Sequence, residues 1–276
     1  EQVRIFTTRS LVAKAIEESN LRYSQMSREA MERYFADMDI KWINAPADSP
    51  LVKEYADNEI SRQHLMSEVK ENDELAEIFV TDKFGGLMAS SRKTSDFYQA
   101  DERWWQIASE GNIFIGDMGL DECSNVLGVT IAAPIMDNDR KVIGICKAVF
   151  DAQKLFLSLN KFKLNTTGHA AIVNGEGIIV FHEGVKPLSV KLISGDVLSR
   201  ILNKDGDFEI IDEHILHHAK LFMTFKRVEH PLLSKNNIVW LVAINQEARE
   251  VFAPLNDLAA AMLIIFGITI LMMIPV

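Results

Sequence analysis

The sequence predicts an α+β chain: a long N-terminal helix, two tandem units with five-stranded antiparallel sheets, and a C-terminal transmembrane helix. Three observations predict this class. The first 76 residues have helical periodicity, two pairs of hairpin patterns recur at nearly the same offset, and the last nineteen residues carry no charge. The boundaries expected from these patterns are 1–76 for an N-terminal helical stalk, 77–151 and 152–246 for the two units, and 247–276 for the membrane helix.

The N-terminal region predicts two helical stretches. Apolar residues recur at roughly helical spacing with charges between them, which favours one long helix over residues 1–40. A second helical stretch is expected from about Ser49 to Ala76. Ser49 is suited to cap its start, because Pro50 would then occupy the first helical position.

Two segments of the same plan predict a pair of related hairpins. Glu77–Ser90 has a short apolar run, the turn Thr-Asp-Lys-Phe-Gly-Gly and a second run, and His169–His182 repeats this plan around Asn-Gly-Glu-Gly. Val80 of the first hairpin corresponds to Val173 of the second, 93 residues later.

A second pair of segments follows each of these hairpins. Val129–Asp151 and Leu221–Glu247 both have two strand patterns around a polar loop, and aligning Gly144 with Trp240 gives an offset of 96. Two pairs at nearly one offset predict a duplicated α+β unit, with a linker at about Ala152–Gly168.

Each predicted unit carries an insert between its two hairpins. The first insert, Ser91–Leu127, is rich in aromatic residues and contains two adjacent tryptophans, although the whole chain has only four. The second, Glu183–Lys220, is plainer and is expected to hold a short helix after Ser194. Its histidines read as strand and turn, where their spacing does not converge, so no metal site is expected there; they are His214, His217 and His218.

The last nineteen residues, Leu258–Val276, are uncharged, and crossing a bilayer takes about 20 such residues. A buried core helix is the alternative, but soluble core helices rarely run this long without a polar residue. No Lys/Arg cluster flanks the entry side, which places residues 1–257 outside the cytoplasm, at a cell (inner) membrane. Residue 1 already begins a polar, helix-like stretch, so we expect a chain cut at both ends and a first membrane helix before Glu1.

Composition excludes several classes of protein. A formal charge of −10 and a pI of about 5.2 argue against a nucleic-acid binder, which needs a basic stripe. The two cysteines, Cys123 and Cys146, fit no zinc motif, and either one bridge or two free thiols remains open. No GxSxG, HExxH or phosphate-cradling glycine loop is present, and no cofactor is expected.

These elements together resemble the double Cache domain, a PAS-like extracytoplasmic sensor of bacterial and archaeal receptors. The resemblance covers nearly the whole chain. It is carried by four segments, namely Val80–Gly86, Asp96–Gln99, Asp101–Gln106 and Val142–Gly144.

The resemblance implies a ligand site in the first, membrane-distal unit and a homodimer formed through the first helix. Amino-acid-binding members carry Arg-x-Trp-Tyr before an insert and an Asp on the last strand. Here the arginine position falls on Glu102 if Trp104 and Trp105 are aligned with Trp-Tyr. If Arg103 and Trp105 are matched instead, the tyrosine position falls on Gln106. The last-strand position falls on Val149. The resemblance therefore supports a sensor but puts an α-amino-acid ligand in doubt.

Candidate ligand-binding residues come from the first unit. Trp104 and Trp105 point to different faces at the start of a predicted helix. Either at least one of them lines a pocket, or both only pack against the neighbouring wall of the fold. Arg103 beside them either clamps a ligand carboxylate or is an exposed surface residue. Tyr98 could donate its hydroxyl from the opposite wall or simply pack.

Lys147 is the most pointed candidate, because it interrupts the apolar strand Ile143–Phe150. Alternation places it on the same face as Val149, so it either points to solvent at a sheet edge or faces the concave side and pairs with an anion. Asp117 and Asp121 precede the next strand and either cap turns or act in the site, orienting Lys147 or accepting hydrogen bonds from a ligand.

The sequence therefore predicts the extracytoplasmic ligand-sensing domain of a membrane receptor of histidine kinase or chemoreceptor type. Its ligand is expected to be a small, anionic organic molecule such as a carboxylate. Two alternatives remain open: an extracytoplasmic enzyme anchored by its C-terminus, and a ligand-free structural or dimerisation module.

Overall fold

A computed structural model describes residues 10–121, 123–193, 195–203, 208–213 and 220–273. It divides the chain into two compact units, the first formed by residues 1–156 with 229–238, and the second by residues 157–228 with 239–276. His214, His217 and His218, for which no metal site is expected, lie outside the described residues.

The elements are as follows. The α-helices are α1 (Ser10–Ser24), α2 (Arg28–Asn44), α3 (Pro50–Ala56), α4 (Met66–Glu71), α5 (Arg103–Ser109), α6 (Ala152–Leu155), α7 (Gly195–Asn203), α8 (Pro231–Lys235) and α9 (Ala248–Met273). The strands are β1 (Leu75–Asp82), β2 (Leu87–Ser90), β3 (Phe114–Ile115), β4 (Gly119–Asp121), β5 (Val126–Met136), β6 (Val142–Asp151), β7 (His169–Asn174), β8 (Ile179–His182), β9 (Phe208–Glu213), β10 (Lys220–Arg227) and β11 (Trp240–Glu247).

The N-terminal helical region is segmented more finely than the periodicity predicts. The expected helix over residues 1–40 is described from Ser10 and is divided into α1 and α2. The division occurs because the Ser27 hydroxyl accepts a hydrogen bond from the Ala30 N–H at 3.2 Å and so begins a new helix. Ser49 caps α3 as predicted, through a 3.3 Å hydrogen bond from the Val52 N–H.

The second predicted helical stretch also ends earlier than expected. It consists of α3, a π-helical turn over Ser61–Leu65 and α4, and strand β1 already begins at Leu75. Asn58 separates the first two pieces, because its side-chain Oδ1 accepts from the Ser61 N–H at 2.9 Å and starts a new helical turn.

The first sheet has the antiparallel order β2-β1-β6-β5-β3, and β4 also pairs with β5. Its two faces follow the alternation of the strands. Ile78, Val80 and Cys146 face α1, where they pack with Val12 and Ile16. The opposite face packs against α2 and α5 in a cluster that contains Trp42, Phe79, Phe97, Trp104, Trp105 and Ile145.

Helix α1 is hydrogen-bonded to two segments at one end of this sheet, the β1–β2 turn and the start of β6. Asp82 is completely buried at the end of β1, and its Oδ2 accepts from the Ser19 hydroxyl at 2.8 Å. The Asn20 side chain donates to the Ile143 carbonyl at 2.7 Å and accepts from the Lys83 N–H at 3.1 Å. These bonds connect α1 to the β1–β2 turn and to the start of β6.

The second sheet repeats this topology in the order β8-β7-β11-β10-β9. Helix α7 supplies the short helix expected after Ser194, and Ile201 packs with Leu221 and Phe225 in the core of this unit. The loop Glu229–Ile238 between β10 and β11 belongs to the first unit, where Lys235 Nζ donates to Asn112 Oδ1 at 2.7 Å.

The duplication is visible in the turns of the two leading hairpins. Asp82 Oδ1 accepts from the N–H groups of Phe84 and Gly86, at 2.8 and 3.1 Å. Asn174 Oδ1 accepts at the same two relative positions in the second hairpin, from residues 176 and 178, both at 3.0 Å. Asp82 pairs with Gly144, and Asn174 pairs with Trp240, so the predicted alignment of Gly144 with Trp240 agrees with the strand register. The same register pairs Val80 with Cys146 and Ile172 with Val242, so Val80 corresponds to Ile172 and the predicted match to Val173 is wrong by one residue.

Helix α9 carries the predicted membrane segment. Residues Ala248–Ile270 are long and apolar enough to cross a membrane, with a mean hydropathy of 1.9 over the most apolar window and none of that window buried. At its first turn, the Glu250 carboxylate accepts from the backbone N–H groups of Thr166 and Thr167, at 2.8 and 3.0 Å. The helix therefore begins attached to the linker that precedes β7.

Candidate functional site

Lys147 lies in the middle of the first sheet rather than at an edge. It pairs with Phe79 on β1 and with Ala132 on β5, and it is only 8% exposed. Its Nζ is 5.2 Å from the ring centre of Phe79 and 5.3 Å from that of Trp104. Both distances are in the range of cation–π attraction, so the ammonium is held against an aromatic wall.

Asp121 is the anionic neighbour of Lys147. Its Oδ1 lies 3.7 Å from Lys147 Nζ, and both side chains are almost completely buried. Its Oδ2 accepts two hydrogen bonds from Ser124, one from the N–H at 2.9 Å and one from the hydroxyl at 2.8 Å. The aspartate therefore caps the turn after β4 and also pairs with the lysine.

Glu77 is a member of this cluster that the sequence analysis missed. It lies on β1 two residues before Phe79, on the same face, and it has no exposed surface. Among the described residues, neither of its carboxylate oxygens has a hydrogen-bond partner. Burial raises the pKa of Glu77 to about 7, with Lys147 and Arg92 lowering it and Asp121 raising it further.

Cys123 completes the cluster from the turn after β4. Its Sγ accepts from the Ser95 N–H at 3.1 Å, and its ligand atom lies within 4.8 Å of those of Glu77 and Asp121. Both cysteines are free thiols, which decides between the two predicted alternatives, and Cys146 is buried on the opposite face of the sheet. Burial, together with Glu77, raises the pKa of the Cys123 thiol.

The adjacent tryptophans have different partners. Trp104 meets Phe79 edge-on, with 5.7 Å between ring centres, and so contributes to the wall around Lys147. Trp105 donates from Nε1 to the buried Thr81 hydroxyl at 3.0 Å. Both indoles are buried, and both contact the face of β1 that carries Glu77.

The remaining sequence candidates have different surroundings. Tyr98 stacks on Phe35 of α2 at 4.8 Å between ring centres, and its backbone N–H donates to Asp39. Arg103 is exposed at the start of α5, and Asp117 is exposed with its Oδ1 accepting from the following N–H. The structure thus brings Lys147, Asp121 and Trp104 together. Tyr98 packs against Phe35 in the same apolar cluster as Trp104, and Arg103 and Asp117 are exposed.

Chemically, the cluster is a buried group of mixed charge beside an aromatic wall. It combines one ammonium, two carboxyl groups, one thiol and two aromatic faces, and Arg92 is close by with its guanidinium donating to the Ser124 carbonyl at 3.4 Å. Such convergent polar groups on an apolar wall are typical of small-molecule sites.

Comparisons with solved structures find the same fold. The extracellular domain of one putative histidine kinase matches with a TM-score of 0.55 at 13% identity, covering 87% of this chain and 93% of that one. A second such domain matches with a TM-score of 0.53 at 14% identity, covering 83% and 92%. The ligand-binding domain of a Pseudomonas aeruginosa amino-acid chemoreceptor, solved with L-Arg, has a TM-score of 0.48 at 16% identity, covering 91% and 94%.

No curated protein matches this sequence significantly. The model of the double Cache family, described as a Cache domain, matches residues 7–255. Cache sensor domains bind ligands and are not catalytic. Because the match spans nearly the whole chain, and because the fold agrees with extracellular sensor domains, this protein belongs to the double Cache family of sensor domains.

Proposed function

We propose that this chain is the extracytoplasmic sensing part of a histidine kinase or chemoreceptor type of membrane receptor, and that its first unit binds a small organic anion. One observation carries the proposal: Lys147 is buried in mid-strand, against an aromatic wall, with the Asp121 carboxylate at 3.7 Å. Burying an ammonium is costly unless partners compensate it, and a ligand carboxylate would supply a further partner.

In this proposal the ligand carboxylate contacts Lys147 Nζ, and its apolar body lies against Trp104 and Phe79. Arg92 adds a second positive charge near the turn after β4. Glu77 in its protonated form can donate a hydrogen bond to the ligand, because its raised pKa keeps a substantial neutral population near neutrality.

Signal transmission would begin in β1, because alternate side chains of this strand face the proposed ligand site and helix α1. Glu77 and Phe79 face the site, while Ile78 and Val80 face α1. A ligand that shifts β1 would therefore act on α1, to the extent of its differential affinity for the two states. The exposed apolar residues Leu21 and Ile40, at 63% and 64%, support a homodimer through the N-terminal helices.

The test measures binding of a panel of small carboxylates to the whole chain in detergent, by calorimetry and by thermal shift. Each acid is paired with its uncharged amide as a matched ligand control. We expect a carboxylate to raise the melting temperature with increasing concentration, and the matched amide to have no effect.

The matched protein variants are Lys147→Met, which removes the buried ammonium, and Lys154→Met, which removes an exposed one. Lys147→Met should weaken carboxylate binding by at least about tenfold, or roughly 1.4 kcal/mol, while Lys154→Met should leave it unchanged. Unchanged affinity in a folded Lys147→Met protein, or stabilisation by amines alone, would contradict the proposal.

A further inference from the structure

Three potential metal ligands converge beside Lys147. A carboxylate oxygen of Glu77, a carboxylate oxygen of Asp121 and the Sγ of Cys123 all lie within 4.8 Å of one another. They come from β1, from the end of β4 and from the turn that follows, so the tertiary fold and not a local loop brings them together.

Glu77 gives the independent observation that a ligand is expected here. Its side chain is completely buried, and both carboxylate oxygens lack a hydrogen-bond partner within the part of the chain that the structure describes. A buried carboxylate without partners is strongly disfavoured, and buried charges in proteins are normally paired or coordinate metals. Since one of these oxygens faces the Asp121 carboxylate and the Cys123 thiol, a cation held among the three groups would satisfy it.

We propose that Glu77, Asp121 and Cys123 form a binding site for a divalent transition-metal cation of the Zn²⁺ type. The thiol selects this class, because thiolate ligands favour zinc and related metals, whereas Mg²⁺ and Ca²⁺ prefer oxygen ligands alone. Three protein ligands also leave one position of a tetrahedral site open, as in sites where zinc contacts a further molecule.

The charges around the three groups are compatible with a metal. Lys147 from β6 and Arg92 from the segment after β2 are the positive groups that act on Glu77. Metal ligands bind in their deprotonated forms, so a thiolate and two carboxylates would carry three negative charges. These charges balance the two of the metal and the one of Lys147, while Arg92, the other positive group, is exposed to solvent.

This inference goes beyond the organic-anion site, and its coupling to that site rests on the proposed function. A metal that engages Asp121 competes with Lys147 for the same carboxylate, so the ammonium becomes more available to a ligand carboxylate. Metal binding also takes the proton from Glu77 and so removes the hydrogen bond that its neutral form would donate to the ligand. The two effects oppose each other, and by linkage the net factor must be the same in both directions.

The experiment uses the whole chain in detergent, first stripped of metal with a chelator that is then removed. Co²⁺ is titrated in, and the thiolate-to-cobalt charge-transfer absorption is recorded, because this band appears only when sulfur coordinates the metal. We expect one equivalent per chain and displacement by Zn²⁺ but not by a large excess of Mg²⁺.

Two pairs of variants assign the ligands. Cys123→Ser should abolish the charge-transfer band, while Cys146→Ala should keep it, because that thiol lies on the opposite face of the sheet. Glu77→Gln, a neutral substitution of the same shape, should weaken Zn²⁺ binding at least tenfold, and the exposed Asp117→Asn should not change it. Circular dichroism of each variant verifies that it is folded.

Three results would overturn the inference: no charge-transfer band in the wild type, a band that survives Cys123→Ser, or equal Zn²⁺ affinity in folded Glu77→Gln and wild type. Failure of the proposed function is measured separately. Carboxylate binding by the chelated, metal-free chain tests the Lys147 site alone, whereas the cobalt band in the absence of any carboxylate tests the metal site alone.

Discussion

Replacing Asp82 by alanine should lower the melting temperature of the whole chain in detergent by about 6–12 °C. The substitution removes the acceptor of three hydrogen bonds, those donated by the Phe84 N–H, the Gly86 N–H and the Ser19 hydroxyl. Leaving a buried donor unsatisfied costs about 1–3 kcal/mol. Burial raises the pKa of Asp82, so relief of its desolvation offsets part of this loss, and a net cost of about 3 kcal/mol remains, with about 2–4 °C per kcal/mol.

Two milder substitutions make the reasoning quantitative. Ser19→Ala removes a single hydrogen bond and should cost about 1 kcal/mol, or about 2–4 °C. Asp82→Asn keeps the Oδ1 acceptor for both turn N–H groups, and the Ser19 hydroxyl can accept from its amide, so it should cost no more than Ser19→Ala. The exposed Asp48→Ala serves as the control for loss of an aspartate.

The assay is thermal unfolding followed by tryptophan fluorescence and near-ultraviolet circular dichroism. The ordering of the four variants is the decisive outcome. If Asp82→Ala were no more destabilising than Ser19→Ala, the carboxylate would not be holding the β1–β2 turn, and the explanation given for the fold at this point would be wrong.

Three further predictions concern other parts of the first unit. Burial raises the pKa of Asp96 from its ordinary 3.8 to about 6, and the nearby Asp39 raises it further. Because the folded protein binds this proton more tightly than the unfolded chain, stability should fall as the pH rises from about 4 to about 6. Asp96→Asn should flatten that part of the plot of melting temperature against pH, and an unchanged plot would contradict the prediction. Trp105→Phe leaves the buried Thr81 hydroxyl without its donor and should lower the free energy of unfolding by about 1 kcal/mol in thermal unfolding. In a Thr81→Val background, where the hydroxyl is absent, the same substitution should cost less, and an equal cost would refute the hydrogen bond. Gly144→Ala would place Cβ 2.4 Å from the Thr81 carbonyl oxygen and should lower the free energy of unfolding by at least about 2 kcal/mol in the same assay. Gly119→Ala is the control, because no atom lies within 4 Å of its Cβ, and it should be neutral. Equal melting temperatures for the two variants would contradict the close approach at Gly144.

The duplicated architecture could be predicted because its signals are local. The Asp-Lys-Phe-Gly-Gly and Asn-Gly-Glu-Gly turns are short and rich in turn-forming residues, and the resulting hairpins carry the repeat. The segmentation of the N-terminal helices was harder to predict. Ser27 and Asn58 interrupt sequences that otherwise keep helical periodicity, and a single side-chain cap outweighed the periodic pattern at both places.

The site could be predicted only in part, because it depends on strand register. Alternation within β6 placed Lys147 on the same face as Val149 but left open whether that face is exposed at a sheet edge or turned inward. Glu77 lies 70 residues earlier, and its neighbourhood depends on the pairing of β1 with β6. A signal did exist, since Glu77 is the only charged residue of β1 besides Asp82. Its alternation with Phe79 could have assigned it to the same face as the lysine once those two strands were paired.

Asn20 sets a distance between two loops that are far apart in the sequence. Its amide donates to the backbone at Ile143 and accepts from the backbone at Lys83, so both polar ends of one short, rigid group are used. Neither a longer nor a purely accepting side chain reproduces that span. The β1–β2 turn and the start of β6 therefore behave as one body with α1, and any displacement of one strand relative to the other must either move the helix or break this amide bridge.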